Sequence, residues 1–300
     1  MKIRRITTTQ SQLNHLDEVV RSFVSRIQEY DVHGRILLEQ ELSASGKIEI
    51  EFRYVYDIHD QLVEQSEYNH GKFIEKSEYE YEEDKTLKSV KVTFSDGGSI
   101  TKTYQYFELG RTDSGTALND DGSLYHKEVA KLDTDNRPIE ETVTNDLGVV
   151  EEITKYQYFE DSDLLTYRRV EQPIYECYSE TFFYYQDGQL IREVENNEEF
   201  QPLSETRFSY QNGLETHAIS RFFADDSLAE EKYYYDEKEQ LIRVEKYTNE
   251  MLTFSNQISY NNQGTVLQEI VRSNYGEFGP SYDRYDNQVE YWEESAIVKD

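Results

Sequence analysis

The stretch that decides the fold is YYYDEKEQLIRVEKY, residues 233–247. Three tyrosines lead into an acidic turn, and a segment that alternates apolar and charged residues follows. Large rings beside so much charge are typical of pleated strands, where tyrosine packs its ring and keeps its hydroxyl in water. Asp, Asn and Gly suit the turn because they tolerate positive φ or bond their own backbone. The stretch therefore predicts two strands joined by a tight turn.

The same pattern recurs through the chain at intervals of 25 to 27 residues. Each unit has a tyrosine at the end of an extended segment, then a turn, an apolar restart and a second turn. Leu132 takes the one place without a tyrosine. Two turns in about 25 residues leave two segments of about eight residues, which is strand length, so each unit is a predicted β-hairpin. The structural repeat tyrosines are Tyr30, Tyr56, Tyr81, Tyr106, Tyr158, Tyr185, Tyr210, Tyr235, Tyr260 and Tyr285.

About eleven such units predict an all-β chain of about 20 strands. A sheet this long must twist and tends to curl. We therefore expect the tandem hairpins to form one long, twisted and coiled antiparallel sheet, stacked by contacts between neighbouring units. Alternation along each strand places the repeat tyrosines on one face as ladders of rings, and most charged residues on the other.

Residues 1–22 fall outside the repeat register. A short N-terminal capping helix is predicted there, because apolar residues recur at helical spacing; they are Leu13, Leu16, Val19, Val20 and Phe23. The repeat array is predicted to span residues 23–300. Within it, residues 128–178 form an irregular unit, because the repeat is degenerate around Leu132 and contains Pro138 and Pro173. This region is a candidate bend, edge or specialised loop.

The chain of 300 residues carries 61 Asp and Glu against 31 Lys and Arg, a net charge of −30. Such a field repels nucleic-acid phosphates and anionic membranes and attracts basic partners. We therefore expect a basic protein partner, with no direct nucleic-acid binding and no membrane binding. The alternative is that the charge serves solubility by discouraging pairing between strand edges. The chain shows neither the apolar segment of a signal peptide nor a membrane-spanning run, which predicts a cytoplasmic location.

Few residues point to chemistry. His33 and His59 each lie three residues past a repeat tyrosine, and solvated turn residues are a better interpretation than a weak metal pair. The acidic clusters at 119–122, 133–136 and 160–163 lack calcium-loop spacing and favour Asx turns. Cys177 is the sole cysteine, which excludes an internal disulfide, and it is interpreted as a packed strand residue. We predict no enzyme activity, no catalytic residue, no metal site and no cofactor.

Three segments carry a family resemblance: EYDVHGRILLEQ (29–40), FYYQDGQLIREVE (183–195) and YYYDEKEQLIRVE (233–245). They resemble the tyrosine–aspartate repeats of RHS-type proteins, whose pattern is roughly Y-D-x-x-G-R-L followed by a distant glycine. Tyr30, Asp31, Gly34, Arg35 and Ile36 match it most fully, and the resemblance covers residues 23–291. In that family the repeats form a coiled β-sheet shell around toxin cargo or part of an adhesive surface protein. The resemblance implies a coiled sheet and a non-catalytic scaffold role.

These observations favour a non-enzymatic scaffold that binds a basic protein through an acidic, tyrosine-rich surface. An immunity or antitoxin protein, or another component of a bacterial defence system, fits this class. The alternative is a structural module of an exported toxin or phage-like assembly that self-associates through sheet edges. A further alternative is a DNA-mimic inhibitor, in which carboxylates take the place of phosphates.

Overall fold

The computed structural model describes residues 2–106, 112–274 and 279–293, and these ranges form 22 β-strands and one short 3₁₀ turn, Pro173–Tyr175. The strands are β1 (Ile3–Leu13), β2 (Val19–Tyr30), β3 (Ile36–Leu42), β4 (Ile48–Tyr56), β5 (Leu62–Asn69), β6 (Lys72–Tyr81), β7 (Leu87–Phe94), β8 (Ser99–Tyr106), β9 (Thr112–Asn119), β10 (Leu124–Leu132) and β11 (Pro138–Thr144). They continue with β12 (Val150–Tyr158), β13 (Leu165–Gln172), β14 (Cys177–Gln186), β15 (Gln189–Asn197), β16 (Pro202–Gln211), β17 (Leu214–Phe222), β18 (Ser227–Tyr235), β19 (Leu241–Thr248), β20 (Met251–Tyr260), β21 (Val266–Ser273) and β22 (Ser281–Tyr291). The predicted all-β class is confirmed. Residues 294–300, which belong to the predicted array, lie outside the described residues.

The strands fall into two compact units. The terminal unit comprises Met1–Lys76, Tyr210–His217 and Ala229–Asp300, and the central unit comprises Ser77–Ser209 and Ala218–Leu228. In the terminal unit, each strand from β1 to β5 pairs antiparallel with the next one, and the strands from β18 to β22 do the same. In the central unit, β7 to β16 pair in the same consecutive way. All 22 strands belong to one sheet.

The first and last strands of this sheet are joined. β1 pairs antiparallel with β2 and also with β22, so Thr8 lies opposite both Arg26 and Asn287. The two ends of the strand array are therefore paired with each other, and the predicted open, coiled sheet is wrong. The repeat pattern encodes contacts between neighbouring units, whereas this contact joins residues 279 positions apart. Nothing in a local period specifies such a pairing.

The predicted capping helix over residues 1–22 is also wrong. β1 and β2 occupy this segment, and a tight turn joins them, in which the Asn14 carboxamide accepts the N–H groups of Leu16 and Glu18. Leu16 and Val20 are 65% and 70% exposed, so the helically spaced apolar residues do not form a buried face. The threonine-rich, alternating segment at the start instead favours a strand, since β-branched side chains suit pleated backbone.

The turn that follows the repeat tyrosine has a recurrent geometry. The Asp31 carboxylate accepts the N–H groups of His33 and Arg35 at 2.8 and 3.0 Å, and Gly34 takes φ +90°. The same two side-chain bonds recur at Asp57, Asp133, Asp236 and Asn261. At the turn position where Gly34 has a positive φ, Asp60 and Glu239 also adopt positive φ, at 65° and 63°. In these five units the Asp or Asn that follows the repeat position therefore builds the turn, as its polar type predicts.

The predicted irregular region, residues 128–178, contains regular strands. β10 to β13 pair consecutively, and Pro138 is the first residue of β11. This position suits proline, because a strand's first residue can lack an N–H bond. Pro173 begins the 3₁₀ turn that joins β13 to β14, and Glu176 closes that turn with φ 53°. Both prolines thus lie at strand boundaries.

Few of the described residues are buried, and more of the buried residues are polar than apolar. Leu13, Ala117, Val194 and Ala218 are buried, and the buried polar residues are Ser11, Glu51, Ser66, Ser89, Thr154, Glu180, Thr181 and Ser255. The small hydroxyl residues lie under larger neighbours. Ser66, for example, lies opposite Arg53, whose guanidinium covers the ring of Tyr68 at 4.7 Å. Half-buried rings and strand hydrogen bonds therefore hold the sheet. The described residues include no helix with the length and apolar character to cross a membrane.

Candidate functional site

We name the two sides of each strand by the repeat tyrosines: the tyrosine face carries them, and the opposite face carries the alternate residues. All ten repeat tyrosines are half-buried. Several of them donate the hydroxyl to a backbone carbonyl 19 or 20 residues earlier, at the start of the neighbouring strand. These bonds join Tyr158 to Pro138 at 2.9 Å, Tyr235 to Glu215 at 2.9 Å, Tyr260 to Leu241 at 2.8 Å, and Tyr106 to Leu87. We call this bond the tyrosine latch.

The arginine of the Y-D-x-x-G-R pattern connects one unit to the next. Arg35 pairs with the Asp31 carboxylate at 2.5 Å and lies over the ring of Tyr56, 4.7 Å from its centroid. Arg137 repeats this arrangement in the central unit, with Asp133 at 2.7 Å and Tyr158 at 4.9 Å. The ion pair lowers the pKa of Asp133, mainly through the bonds that Arg137 donates. The motif is thus a structural clamp between neighbouring repeats.

Carboxylates lie beside the tyrosines on the tyrosine face. Glu193 lies opposite Phe183, two residues before Tyr185, and burial together with Glu193 raises the pKa of Tyr185. Burial and the nearby Glu269 raise the pKa of Tyr260 in the same way. These tyrosine hydroxyls therefore stay protonated and act as hydrogen-bond donors at neutral pH.

The densest group of this kind is in the terminal unit. Tyr233 donates its hydroxyl to Glu231 at 2.6 Å, and Lys246 bonds the other oxygen of Glu231 at 2.9 Å. Burial, then repulsion by Glu231, raises the pKa of Glu215. Lys246 therefore pairs with Glu231, and Glu215 lies near this pair without a cation of its own. Among the described residues, Glu67, Glu193, Glu215 and Glu269 on the tyrosine face have no ion-pair partner.

The opposite face uses its charges differently. Arg243 lies 3.8 Å from the ring centroid of Tyr234, which donates to Glu245 at 2.9 Å. In the central unit, Arg169 lies 3.7 Å from the ring centroid of Tyr178 and pairs with Glu171 at 3.0 Å. Further pairs of this kind join Arg192 and Arg207 to Glu205, Arg53 to Glu51, and Arg284 to Asp286. Much of the chain's basic charge is thus neutralised on this face. Tyrosines occur on both faces, which simple alternation from the repeat positions does not predict.

A cavity of about 480 Å³ opens on the tyrosine face of the terminal unit, where β22, β1 and β2 meet. We call it the seam cavity. Its walls combine apolar residues, amides, hydroxyls and carboxylates; they include Ile6, Thr8, Gln10, Arg26, Gln28, Glu41, Leu42, Glu49, Glu269, Tyr285 and Asn287. Tyr285 is the repeat tyrosine found here, and the sequence carries no local signal for the rest. Long-range pairing of β1 with β22 brings these residues together.

The other residues singled out from the sequence are turn or strand residues. The N–H groups of His33 and His59 donate to the aspartates of their Asx turns. Asp133 and Asp121 likewise accept backbone N–H groups in the clusters weighed for calcium. Cys177 is the first residue of β14, and its thiol lies 3.8 Å from the Gln172 carboxamide. In the described residues, no group of three His, Cys, Asp or Glu side chains is arranged to hold a metal ion.

Neither a protein-family model nor a curated protein matches the chain. Similar solved structures include TcdB2-TccC3-Cdc42, with 10% identity and a TM-score of 0.35 over 92% of this chain and 21% of that one. TcdB2-TccC3 without its hypervariable C-terminal region gives 13% identity and a TM-score of 0.36, over 90% and 17% of the two chains. A porin-like protein from Bacteroides uniformis gives 10% identity and a TM-score of 0.31, over 96% of each chain. This chain spans about a fifth of the length of the TcdB2-TccC3 chains that it matches.

Proposed function

We propose that this chain is a non-enzymatic scaffold that binds a basic protein through the carboxylates of its tyrosine face. One observation carries the proposal: a set of glutamates on the tyrosine face lacks ion-pair partners, although other carboxylates of that face, such as Glu231 with Lys246, are paired. On the opposite face, arginines neutralise carboxylates and stack on tyrosines. On the tyrosine face, Glu67, Glu193 and Glu215 have no cationic partner in the described part of the chain. Unpaired carboxylates beside aromatic rings supply both steering and anchoring for a cationic surface.

The physical chemistry of this face suits binding more than stability. A group of like charges at partly buried positions costs free energy in the isolated protein, and a basic partner relieves that cost. Burial, and then repulsion by Glu231, raise the pKa of Glu215. Binding through such a face is expected to be fast at low ionic strength and to weaken as salt screens the charges.

The test is a pull-down at low salt followed by elution in a salt gradient, which identifies the partner and its stoichiometry. The face variant combines Glu67→Gln, Glu193→Gln and Glu215→Gln. The matched control combines Glu83→Gln, Glu160→Gln and Glu199→Gln, which remove the same charge from exposed turns. We expect the face variant to release the partner at clearly lower salt, while the control behaves like the wild type. Equal behaviour of the two variants would contradict the proposal.

The Asp31–Arg35–Tyr56 clamp and its counterpart at Asp133 and Arg137 support placing the chain among divergent tyrosine–aspartate repeat proteins. Within the binding class, an immunity or antitoxin protein, or a bacterial defence component, is the role that a basic toxin partner would imply. A structural module of a toxin or phage-like assembly is the alternative. Pairing of β1 with both β2 and β22 leaves neither end of the array with a free edge for self-association. A DNA mimic would instead capture a nuclease or another DNA-binding protein in the same pull-down.

A further inference from the structure

The tyrosine latch is interrupted at the seam cavity. The carbonyl of Val266, at the start of β21, corresponds to the carbonyls that accept tyrosine hydroxyls in other units. It instead accepts the Asn287 amide at 3.1 Å. Tyr285 lies two residues earlier, within β22, and lines the cavity. Its hydroxyl has no hydrogen-bond partner among the described residues. The tyrosine hydroxyl, which donates to a backbone carbonyl in several other units, is therefore available to a ligand at Tyr285.

The cavity offers more acceptors than donors. The Gln28 carboxamide and the Glu49 carboxylate line it without a side-chain partner in the described part of the chain. Glu269 accepts one hydrogen bond, from the Asn256 amide at 3.1 Å, and its other carboxylate oxygen can accept a bond from a ligand. Arg26 is the cation in the wall, and it pairs with Glu39 at 3.1 Å while Glu41 lies 3.9 Å away. A ligand that satisfies this wall must bring N–H donors and positive charge.

The wall also has an apolar part, because Ile6 and Leu42 lie beside the carboxylates. A guanidinium on an alkyl chain fits this combination: it carries five N–H donors, no acceptor and a fixed positive charge, and its stem covers apolar surface. We propose that the seam cavity binds a guanidinium group through Glu49, Glu269 and Tyr285. This inference deepens the proposed function and rests on it, since the arginine side chain of a basic partner is the natural source. A small arginine-like molecule carries the same chemistry.

The experiment titrates the full chain with N-acetyl-arginine amide and, separately, with its neutral isostere N-acetyl-citrulline amide, by calorimetry. We expect the arginine compound to bind at least about ten-fold more tightly, because the citrulline compound leaves the carboxylates unpaired. Glu49→Gln and Glu269→Gln should each weaken it about two- to five-fold, the range for partly exposed ion pairs. Glu237→Gln, in an exposed turn of the same unit, should leave the affinity unchanged. Equal affinity for the two compounds, or no binding of either at about 10 mM, would overturn the site.

A second arm distinguishes the source of the cation and separates this inference from the proposed function. An arginine-containing basic peptide that binds well above the affinity of N-acetyl-arginine amide, and loses that advantage in Glu49→Gln, assigns the cavity to a protein partner. Equal affinities assign it to a small molecule. If the partner found in the pull-down binds the face variant as tightly as the wild type, while the arginine compound still binds the cavity, the proposed function fails and the site stands. If the partner requires the face but the arginine compound does not bind, the site fails alone.

Discussion

The tyrosine latch predicts a difference between two tyrosines of the same unit. Tyr260→Phe removes a hydroxyl that donates to the Leu241 carbonyl at 2.8 Å, whereas Tyr285→Phe removes a hydroxyl without a protein partner in the described residues. A net hydrogen bond contributes about 1 kcal/mol, and a carbonyl left partly shielded from water adds to the loss. We therefore expect Tyr260→Phe to lower the free energy of unfolding by about 1 to 1.5 kcal/mol. Tyr285→Phe should lower it by less than about 0.5 kcal/mol, since the ring is kept.

Urea unfolding followed by tryptophan fluorescence measures this difference. Trp292 is the sole tryptophan, and its indole N–H donates to the Asp31 carbonyl at 2.9 Å, so its emission reports on the terminal unit that contains both tyrosines. The comparison requires that the free energy of unfolding falls with urea concentration at the same slope in each variant, so that a change of midpoint reflects stability alone. Equal losses for the two variants, or a Tyr260→Phe midpoint that matches the wild type, would show that the latch does not stabilise the sheet.

Three further outcomes follow from particular side chains. Glu239 holds φ 63° in its turn, so Glu239→Gly should stabilise by up to about 1 kcal/mol, whereas Glu237→Gly in the same turn should destabilise; urea midpoints test the pair. Because burial and then Glu231 raise the pKa of Glu215, its ionisation destabilises the fold as pH rises through that pKa. Glu215→Gln should therefore raise the thermal midpoint at pH 7, and this gain should vanish below the carboxyl's unfolded pKa. Tyr167 donates at 2.6 Å to Glu180, which is 6% exposed, so Tyr167→Phe should cost about 1.5 to 3 kcal/mol by leaving a buried carboxylate short of a partner. A loss below 0.5 kcal/mol in urea unfolding would show that Arg169 or water replaces that bond.

The sequence is informative wherever structure is local. The Asp or Asn that follows several of the repeat tyrosines predicts the turn that Asp31 builds, and the near-constant spacing predicts hairpins, because both depend on residues a few positions apart. Alternation also predicts that Arg243 and Glu245 share a face. It does not predict that they neutralise each other while Glu215 stays unpaired, since this depends on which neighbouring strand supplies a cation. The helical spacing of apolar residues around Leu16 predicts a helix with a buried apolar face. Leu16 is instead 65% exposed, because the spacing of apolar residues does not by itself show that they are buried.

The pairing of β1 with β22 and the seam cavity have one physical origin. Since all hairpins share a pattern, backbone pairing alone would let β1 join β22 in several registers. Side chains select one of them: Thr8 donates to Asn287 at 2.7 Å and Gln10 donates to Asp283 at 3.0 Å. A shift of two residues would place Thr8 opposite Tyr285 or Val289 and break both bonds. Asn287 also donates to the Val266 carbonyl, which a tyrosine latch would otherwise use, so the Tyr285 hydroxyl lies beside the cavity carboxylates without a partner in the described residues. The polar residues that pair β1 with β22 are therefore the reason that the seam cavity lies where the repeat ends.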